Sequence, residues 1–435
     1  MEYVSSDMKL LPYGMMNFED IRLDNYYYVD KTSFIPLIER SDRYFFFIRP
    51  RRFGKSLTLN MLQHYYDVRT RDKFDALFGD LYIGKHPTDD RNSYLVLYLN
   101  FSGINGELHN YRSGLDAHCN TCFNYFCDIY AEYLPQGIRE KLDKKEGAVE
   151  QLDVLYHECE RAGQKIYLFI DEYDHFTNAI LSDADSLRRY TEETHKEGYL
   201  RAFFNKVKAG TYSSIKRCFI TGVSPITLDD VTSGFNIGTN ITTSPLFNAL
   251  VGFTETELRT MLEYYRDRGA LTMGVEEMIA DMKPWYDNYH FSEECLNESM
   301  YNSDMTLYYM NSCLKLGKKP REMVDTNIRT DYNKLRHLIR IDHELDANFS
   351  VIREIVENGR TSGTISSAFS VEKMVDENNF KSLLYYFGLL SIRGVEEGET
   401  VLAIPNNTVR EQFYNYLTEA YADENIFSLN ISTLG

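Results

Sequence analysis

The sequence predicts an α/β protein built around a parallel sheet, and three segments carry this prediction. An apolar run at 44–48 breaks into a loop that ends Gly54-Lys55-Ser56, and a helical pattern follows. A second apolar run, 166–170, ends on two adjacent carboxylates, and a third, 218–220, stops at polar residues. Buried strands of parallel sheets have such continuous apolar runs, and helices between them form the crossover connections. We therefore expect a core whose polar residues gather at the carboxyl ends of the strands.

The loop after the first predicted strand has the residue types of a phosphate-binding P-loop, the Walker A motif. Gly54 lets the backbone approach a phosphate closely, Lys55 reaches the terminal phosphates, and the Ser56 hydroxyl is suited to Mg²⁺. The helix that begins here aims its free N–H groups at the anion. The usual motif begins with a glycine at the position that Arg49 occupies in this chain, and a chance Gly-Lys-Ser string is common.

This loop is also the most cationic one in the chain, and a bound triphosphate accounts for its arginines without invoking nucleic acid. We expect the phosphates to lie against Arg49, Arg51, Arg52, Phe53, Gly54, Lys55, Ser56 and Leu57. The segment before the first strand often flanks the base in P-loop domains, so Asp30 is included in the expected site. Helix capping by Asp30 or Thr32 is the more economical interpretation of that residue.

The second apolar run ends at the pair expected of a Walker B motif. Asp171 fits the role of holding Mg²⁺, and Glu172 fits the role of activating the attacking water. A strand that ends in a solvated acidic turn is the alternative for this motif taken alone. Both motifs in this order predict a P-loop NTPase core that binds ATP and Mg²⁺.

The third run supplies a candidate for sensing the γ-phosphate. Thr221 is the first choice and Ser224 the second, while a plain Thr-Gly turn at the strand end explains the same residues. Hydrolysis by such a core also uses an arginine finger, in cis or from a neighbouring subunit. The sequence does not choose among Arg188, Arg189, Arg201 and Arg217.

Composition limits the class of protein. The chain has 435 residues, 43% of them apolar and 26% charged, with a net charge of −18. That charge argues against binding nucleic acid over the whole surface. No signal pattern begins the chain, and no apolar run approaches the ~18 residues that span a membrane. Seven scattered cysteines argue against a disulfide framework. We expect a cytoplasmic protein with no membrane partner.

Three units are expected along the chain. Residues 1–43 lead into the nucleotide site, 44–235 form the P-loop ATPase core, and 236–435 form a mostly helical part. The stretch 233–244 is rich in Gly, Thr, Ser and Asn, which is typical of a loop or linker.

The last unit has two local signals. Thr254 and Glu257 form a capping box that predicts the start of a helix. Residues 389–404 predict a β-hairpin with Glu396-Glu-Gly at its turn. Helices followed by a small hairpin are typical of a winged-helix domain, and a plain helical lid would give a similar pattern.

Several strings together resemble one known family. They are Asp30-Lys-Thr, Arg49-Pro-Arg-Arg-Phe-Gly-Lys-Ser, Ile170-Asp-Glu-Tyr-Asp, Thr221-Gly-Val-Ser-Pro, Gly252-Phe-Thr-Glu-Thr-Glu and Ile404-Pro-Asn. From about residue 8 to 415 the chain resembles the AAA-ATPase-like proteins abundant in gut Bacteroidetes and related anaerobes. The resemblance implies an AAA/STAND-like P-loop core, and it accounts for Arg49, because the family itself replaces the first P-loop glycine with arginine.

Relatives in that family usually carry a C-terminal PD-(D/E)XK nuclease-like domain. Such a domain needs an Asp and a Glu-x-Lys pattern, and residues 405–435 contain none. The resemblance therefore implies no nuclease activity for this chain.

The leading expectation is Mg²⁺-dependent ATP binding and hydrolysis coupled to conformational change, with Lys55, Glu172 and Thr221 as catalytic residues. The first alternative is a nucleotide-binding switch or scaffold that does not hydrolyse ATP and serves an unidentified protein partner. The second is a DNA-binding regulatory module, for which Lys315, Lys318, Lys319 and Arg321 form a small basic cluster. A homo-oligomer is expected only by analogy with related ATPases.

Overall fold

The structure, a computed structural model, describes residues 8–104, 111–175, 198–226, 235–325, 346–370, 373–374 and 376–423, with backbone only at 346–349 and 416–423. Its strands are β1 (Tyr44–Ile48), β2 (Leu95–Asn100), β3 (Ile166–Asp171), β4 (Ile215–Gly222), β5 (Thr239–Asn240), β6 (Arg360–Gly363), β7 (Ser391–Glu396) and β8 (Glu399–Ala403). Its helices up to β4 are α1 (Phe18–Leu23), α2 (Ile35–Arg40), α3 (Lys55–Tyr66), α4 (Phe74–Phe78), α5 (Tyr82–Lys85), α6 (Tyr111–Ile129), α7 (Ile138–Asp143), α8 (Ala148–Arg161) and α9 (Tyr199–Thr211). The later helices are α10 (Glu255–Asp267), α11 (Val275–Tyr286), α12 (Ser303–Leu316), α13 (Asp346–Asn358), α14 (Glu377–Tyr386) and α15 (Asn407–Asp423).

A five-stranded parallel sheet forms the core, which confirms the predicted α/β class. Its strand order is β2-β3-β4-β1-β5. Strand β4 therefore separates the P-loop strand from the acidic strand, and its register pairs Phe47 with Thr221 and Ile220 with Ile170. Because the strands are parallel, the loop after β1, the carboxylates after β3 and the end of β4 all lie at one edge of the sheet.

Side chains alternate between the two faces of this sheet, and each face packs against its own layer of helices. Phe46 and Ile48 of β1 belong to the layer that contains α6, α8 and α9. Phe45 and Phe47 belong to the opposite layer, which contains α3 and α4. This period-2 burial on both faces is the reason why the strands are nearly continuous apolar runs in the sequence.

One predicted loop is wrong in part. Residues 239–240 pair in parallel with Phe45 and Phe46, so a fifth strand lies inside the stretch that the sequence assigns to a linker. Two polar residues make that strand, and they leave no hydrophobic period to detect. The pairing makes β1 an interior strand and extends the sheet beyond residue 235.

The C-terminal part begins as predicted. Thr254 and Glu257 form the capping box of α10, with the Thr254 hydroxyl accepting from the Glu257 N–H and the Glu257 carboxylate from the Thr254 N–H. The predicted hairpin is also present as β7 and β8. Glu397 (φ 53°) and Gly398 (φ 88°) take the two left-handed positions that a tight hairpin turn requires. None of the described helices is long and apolar enough to cross a membrane.

A second sheet joins this hairpin to an earlier strand in the order β6-β8-β7. The chain order around it is α13, β6, α14, β7 and β8. Helix α14 is buried from Phe380 to its end at Tyr386, and only its first turn reaches the surface. The Tyr385 hydroxyl donates to the Phe291 carbonyl at 3.0 Å, so this helix packs towards the centre of the protein.

A buried ion pair ties the N-terminal segment to the C-terminal part. The Lys31 ammonium donates to both carboxylate oxygens of Glu257 at 2.7 Å and to the Ala249 carbonyl at 2.9 Å. Burial lowers the pKa of Lys31, and the Glu257 carboxylate opposes that shift. Two of the strings that suggest the family, around 30–32 and 252–257, therefore meet through these side chains.

We expect Lys31→Met to lower the free energy of unfolding by about 2 kcal/mol, because it removes charged hydrogen bonds and leaves polar groups without them. Lys283→Met is the matched control, since Lys283 forms an exposed pair with Glu255 on the same helix α10. Its loss should stay below about 0.5 kcal/mol. Urea unfolding of both variants measures this difference, and equal losses would contradict it.

Candidate functional site

A cavity of about 630 Å³ lies where the P-loop edge of the sheet meets the N-terminal and C-terminal segments. Ser102 after β2, Glu172 after β3 and the loop after β1 line one side of it. Residues 12–31, 250–253 and 303–307 contribute to the other walls. A volume of this size is typical of small-molecule and cofactor sites.

The backbone of the P-loop makes two turns that need positive φ angles. Gly54 has φ 91° and caps the N-terminus of α3, a conformation that a side chain would strain. Arg52 has φ 66° although it is not glycine. The C-terminal part holds it there: its carbonyl accepts from the Ser303 hydroxyl at 3.1 Å and the Asp304 N–H at 3.3 Å. Its guanidinium also pairs with the Asp304 carboxylate at 2.9 Å.

The predicted metal-binding side chains are adjacent. The Ser56 hydroxyl donates to the Asp171 carboxylate at 2.7 Å. Asp171 is fully buried, and burial raises the pKa of its carboxyl against the effect of the hydrogen bond from Ser56. The Tyr98 hydroxyl also donates to the same carboxylate oxygen, at 3.3 Å. The Ser56 hydroxyl oxygen of the Walker A motif and the Asp171 carboxylate oxygen of the Walker B motif thus meet beside the cavity.

Lys55 lines the cavity but turns its ammonium towards its own loop. The ammonium donates to the Arg49 and Pro50 carbonyls, each at 2.9 Å. Burial lowers its pKa, and the Glu172 and Asp171 carboxylates oppose that shift. The buried Lys55 ammonium therefore lies between the backbone of its own loop and the carboxylates of Asp171 and Glu172 at the end of β3.

Glu172 lines the cavity, whereas Thr221 lies below it. The Thr221 hydroxyl donates to the Phe47 carbonyl of β1 at 2.6 Å, so it joins the P-loop strand to β4. The second candidate, Ser224, is buried, and its N–H donates to Asp174 at 2.5 Å. Neither hydroxyl faces the cavity in this conformation.

Most of the predicted phosphate-binding residues do surround the cavity: Arg51, Arg52, Phe53, Gly54, Lys55, Ser56 and Leu57. Asp30 does not. Its carboxylate accepts from the Thr32 N–H at 2.8 Å and from the Tyr82 N–H at 2.7 Å. The capping interpretation is wrong as well, because α2 begins at Ile35 without a side-chain cap.

Arg49 is also outside the cavity, and its guanidinium is buried in the core. It donates to the carbonyls of Ile48, at 3.0 Å, Phe247, at 3.2 Å, and Thr242. It also stacks over the rings of Phe47 and Phe291, at 4.4 and 4.2 Å from their centroids. The side chain that replaces the usual glycine thus points away from the phosphate cradle.

Of the four arginine-finger candidates, two can be located in the described residues, Arg201 in α9 and Arg217 in β4. Arg188 and Arg189 lie outside the described residues. Arg217 is the third residue of β4 and pairs with Asp90 at 3.2 Å. It precedes Thr221 by four positions, roughly 13 Å along a strand, which places it away from the P-loop edge.

Sequence reasoning missed the C-terminal wall of the cavity and a polar chain beside Asp171. In that chain the Asn100 amide donates to the Tyr98 hydroxyl at 3.2 Å, and the Asn100 carbonyl oxygen accepts from the Ser102 hydroxyl at 2.7 Å. Tyr98 and Asn100 lie at the end of β2, whose apolar run begins at Leu95. The polar end of that run was the available signal.

Replacing Arg49 with the common glycine should destabilise the protein. Arg49→Gly removes contacts to three buried carbonyls and two ring faces, so we expect a loss on the order of 3 kcal/mol. Arg51→Gly, two residues along the same loop, is the control, because it adds the same glycine flexibility at a half-buried position. Urea unfolding midpoints compare the two, and a parent-like midpoint for Arg49→Gly would show that the buried guanidinium contributes little.

Comparison with known proteins gives matches of different weight. At 27% identity over 299 residues the chain is similar to an uncharacterised protein in the vnfD 5′ region of Azotobacter chroococcum mcd 1. The match covers 68% of this chain and 50% of that protein, so the chain spans about half the length of the curated relative.

Two solved structures from Aeropyrum pernix are similar over most of their length. The ORC2 protein, in ADPNP–ADP complexes, is 11% identical with a TM-score of 0.38, and the match covers 90% of this chain and 93% of ORC2. The ORC1 protein in complex with DNA is also 11% identical with a TM-score of 0.32, and the match covers 91% and 92%. Likeness at these scores supports no argument about this chain.

A family model described as Predicted AAA-ATPase (AAA-ATPase_like) matches residues 12–232. That range is slightly more than half of the 435 residues. It contains the P-loop, both carboxylates that follow β3, and Thr221. The chain therefore belongs to the predicted AAA-ATPase family.

Proposed function

We propose that the protein binds ATP with Mg²⁺ in this cavity and hydrolyses it, and that the cycle changes the position of the C-terminal part. One observation carries the proposal: the Ser56 hydroxyl lies 2.7 Å from the Asp171 carboxylate, directly after the Gly54 turn. Lys55 and Glu172 line the same cavity. Family membership supports the nucleotide at a general level.

The residues present fit a magnesium nucleotide. Mg²⁺ prefers oxygen ligands and takes few from the protein when phosphates supply the others. Ser56 Oγ and Asp171 Oδ2 would hold it, and Tyr98 and the P-loop helix keep those two atoms in place. When bound, the ion supplies positive charge beside the β- and γ-phosphates.

One part of the cavity suits a nucleobase. Its walls there are mostly apolar and come from residues before β1 and after β5; they include Pro12, Met15, Ile21, Tyr27, Tyr28, Val29, Leu250, Val251 and Phe253. Rings and thioethers of this kind offer flat apolar contacts to a planar base. This supports the expectation that residues before β1 flank the base.

Each polar residue has a distinct role in the proposed hydrolysis. The N–H groups at the start of α3 bind the phosphates, and Lys55 leaves the Arg49 and Pro50 carbonyls to neutralise them. The Glu172 carboxylate orients the attacking water and accepts its proton. Thr221 would respond to the γ-phosphate through its bond to the Phe47 carbonyl. Arg51, on the cavity wall, is a second cation for the phosphates.

Contacts from the P-loop support a conformational output. The Phe53 carbonyl accepts from the Gly252 N–H at 2.8 Å, and the Arg52 carbonyl accepts from α12. On the other side of the loop, a Cβ at Gly388 would lie 2.8 Å from the Pro50 side chain, so α14 ends in close contact with the loop. A shift of the loop on binding phosphate would move both contacts. We place the end of the core after Asn240. The core then follows the proposed lead-in, residues 1–43, and precedes the C-terminal part.

The DNA-binding alternative finds little support in the described residues. Helix α14 is buried beyond its first turn, and the tip of the β7–β8 hairpin carries Glu396, Glu397 and Glu399. Negative charge at a hairpin tip disfavours contact with a phosphate backbone. Of the basic cluster at 315–321, Lys319 pairs with Asp281 at 3.0 Å. A protein partner fits the acidic hairpin tip better than nucleic acid does.

Purified protein tests the proposal by ATP binding and phosphate release with Mg²⁺. Lys55→Ala should weaken ATP binding by about tenfold or more, since it removes a buried cation from the phosphates. Glu172→Gln should keep ATP affinity and lower turnover on the order of 100-fold, because the base is lost and the shape is retained. Lys144→Ala and Glu146→Gln change exposed residues of the same types and should behave as the parent.

Three outcomes would contradict parts of this assignment. Full turnover in Glu172→Gln would remove the proposed base. Tight ATP binding without turnover in the parent would favour the switch over the enzyme. No ATP binding by the parent would overturn the proposed function as a whole.

A further inference from the structure

The turn that carries Glu172 is strained. Glu172 has φ 53°, in the left-handed region that a residue with a long side chain rarely adopts. The turn closes with the His175 N–H donating to the Glu172 carbonyl at 2.9 Å. Strained backbone persists only where the surrounding structure enforces it, so the groups that hold this turn are of interest.

The two residues after Glu172 fasten the turn to the end of β4. The Tyr173 N–H donates to the Thr221 carbonyl at 3.3 Å, and the Tyr173 hydroxyl donates to the Ser224 carbonyl. The Asp174 carboxylate accepts from the Val223 N–H at 3.0 Å and from the Ser224 N–H at 2.5 Å. Four hydrogen bonds therefore connect the turn after β3 to the backbone of residues 221–224.

Close packing leaves this connection little freedom. A Cβ at Gly222 would lie 2.4 Å from an Asp174 carboxylate oxygen and 2.6 Å from the Tyr173 ring. Asp174 has no exposed surface, and burial raises the pKa of its carboxyl to about 6 against the two backbone donors. Burying a carboxylate costs free energy. The Asp174 carboxylate forms its hydrogen bonds two residues after Glu172, which is proposed to activate water.

We propose that Asp174 is a positioning residue that holds the Glu172 carboxylate in its hydrolytic orientation by fixing the turn to the end of β4. The proposal rests on the hydrolysis proposed above and assigns Asp174 no contact with ATP, Mg²⁺ or water. It also makes Thr221 and Glu172 parts of one rigid unit.

That unit extends to the P-loop. The Thr221 hydroxyl donates to the Phe47 carbonyl, and the Arg49 N–H donates to the Gly222 carbonyl at 3.3 Å. A displacement of the P-loop strand by the γ-phosphate therefore reaches the Glu172 turn through β4 and Asp174. Sensing of the phosphate and activation of water are linked by this path.

Asp174→Asn tests the proposal, because it keeps the shape and weakens the two N–H hydrogen bonds by removing the charge of their acceptor. Turnover should fall roughly 10- to 100-fold, the effect of a small misplacement of a reacting group, while ATP affinity and the Mg²⁺ dependence of binding stay at parent values. In a Glu172→Gln background the same change should lower turnover no further, because Asp174 acts only through Glu172. Tyr173→Phe removes one of the four bonds and should give a smaller fall, and it carries the test if Asp174→Asn does not fold.

The outcomes separate this inference from the proposed function. Parent-like turnover in Asp174→Asn, or in a folded Tyr173→Phe where Asp174→Asn is unfolded, would overturn the positioning role alone. A fall that adds fully to that of Glu172→Gln, or a parallel loss of ATP affinity, would also overturn it by showing a general structural role. A parent that binds ATP without hydrolysing it would overturn the proposed function and this inference together.

Discussion

A buried positive charge without a carboxylate partner among its described contacts organises this protein. The Arg49 guanidinium is satisfied by three backbone carbonyls and two aromatic faces, which come from β1, from residues 242–247 and from Phe291. Those segments must converge for the charge to be tolerated in the interior. Their convergence seats β5 beside β1 and brings the C-terminal part against the P-loop, and the cavity lies between these elements.

The sequence predicted the parts of the site that follow from local patterns. The apolar runs at 44–48 and 166–170 located β1 and all but the last residue of β3, because they end abruptly at Arg49 and at Asp171. The P-loop and acidic residues each occupy one short string, so their meeting follows from parallel strands alone. The surroundings of Arg49 could not be predicted, because its partners lie about 200 residues or more along the chain, except for Phe47 and Ile48 next to it. Likewise β5 consists of two polar residues, and neither propensity nor periodicity marks it.

In the described conformation, the polar side chains proposed to bind ATP and Mg²⁺ already form hydrogen bonds within the protein. Lys55 donates to the carbonyls of the loop that it would leave for a phosphate, and Ser56 donates to the carboxylate with which it would share a cation. The Thr221 hydroxyl is likewise occupied by the Phe47 carbonyl. Binding ATP would break these hydrogen bonds as it forms new ones. The net free energy of binding is therefore smaller than the number of polar groups suggests. The same exchange of hydrogen bonds would shift the P-loop when phosphate binds.

Because β5 lies beyond the family match, the range that the family model matches differs from the range that must fold as a unit. The family match ends at residue 232, whereas the strand that covers the outer side of β1 begins at Thr239. A fragment cut at the end of the match would leave Phe45 and Phe46 on an open strand edge with unpaired backbone groups, which promotes pairing between chains. It would also lose Gly252 and Ser303, which brace the P-loop. The stretch that the family model matches is thus shorter than the stretch that must fold together.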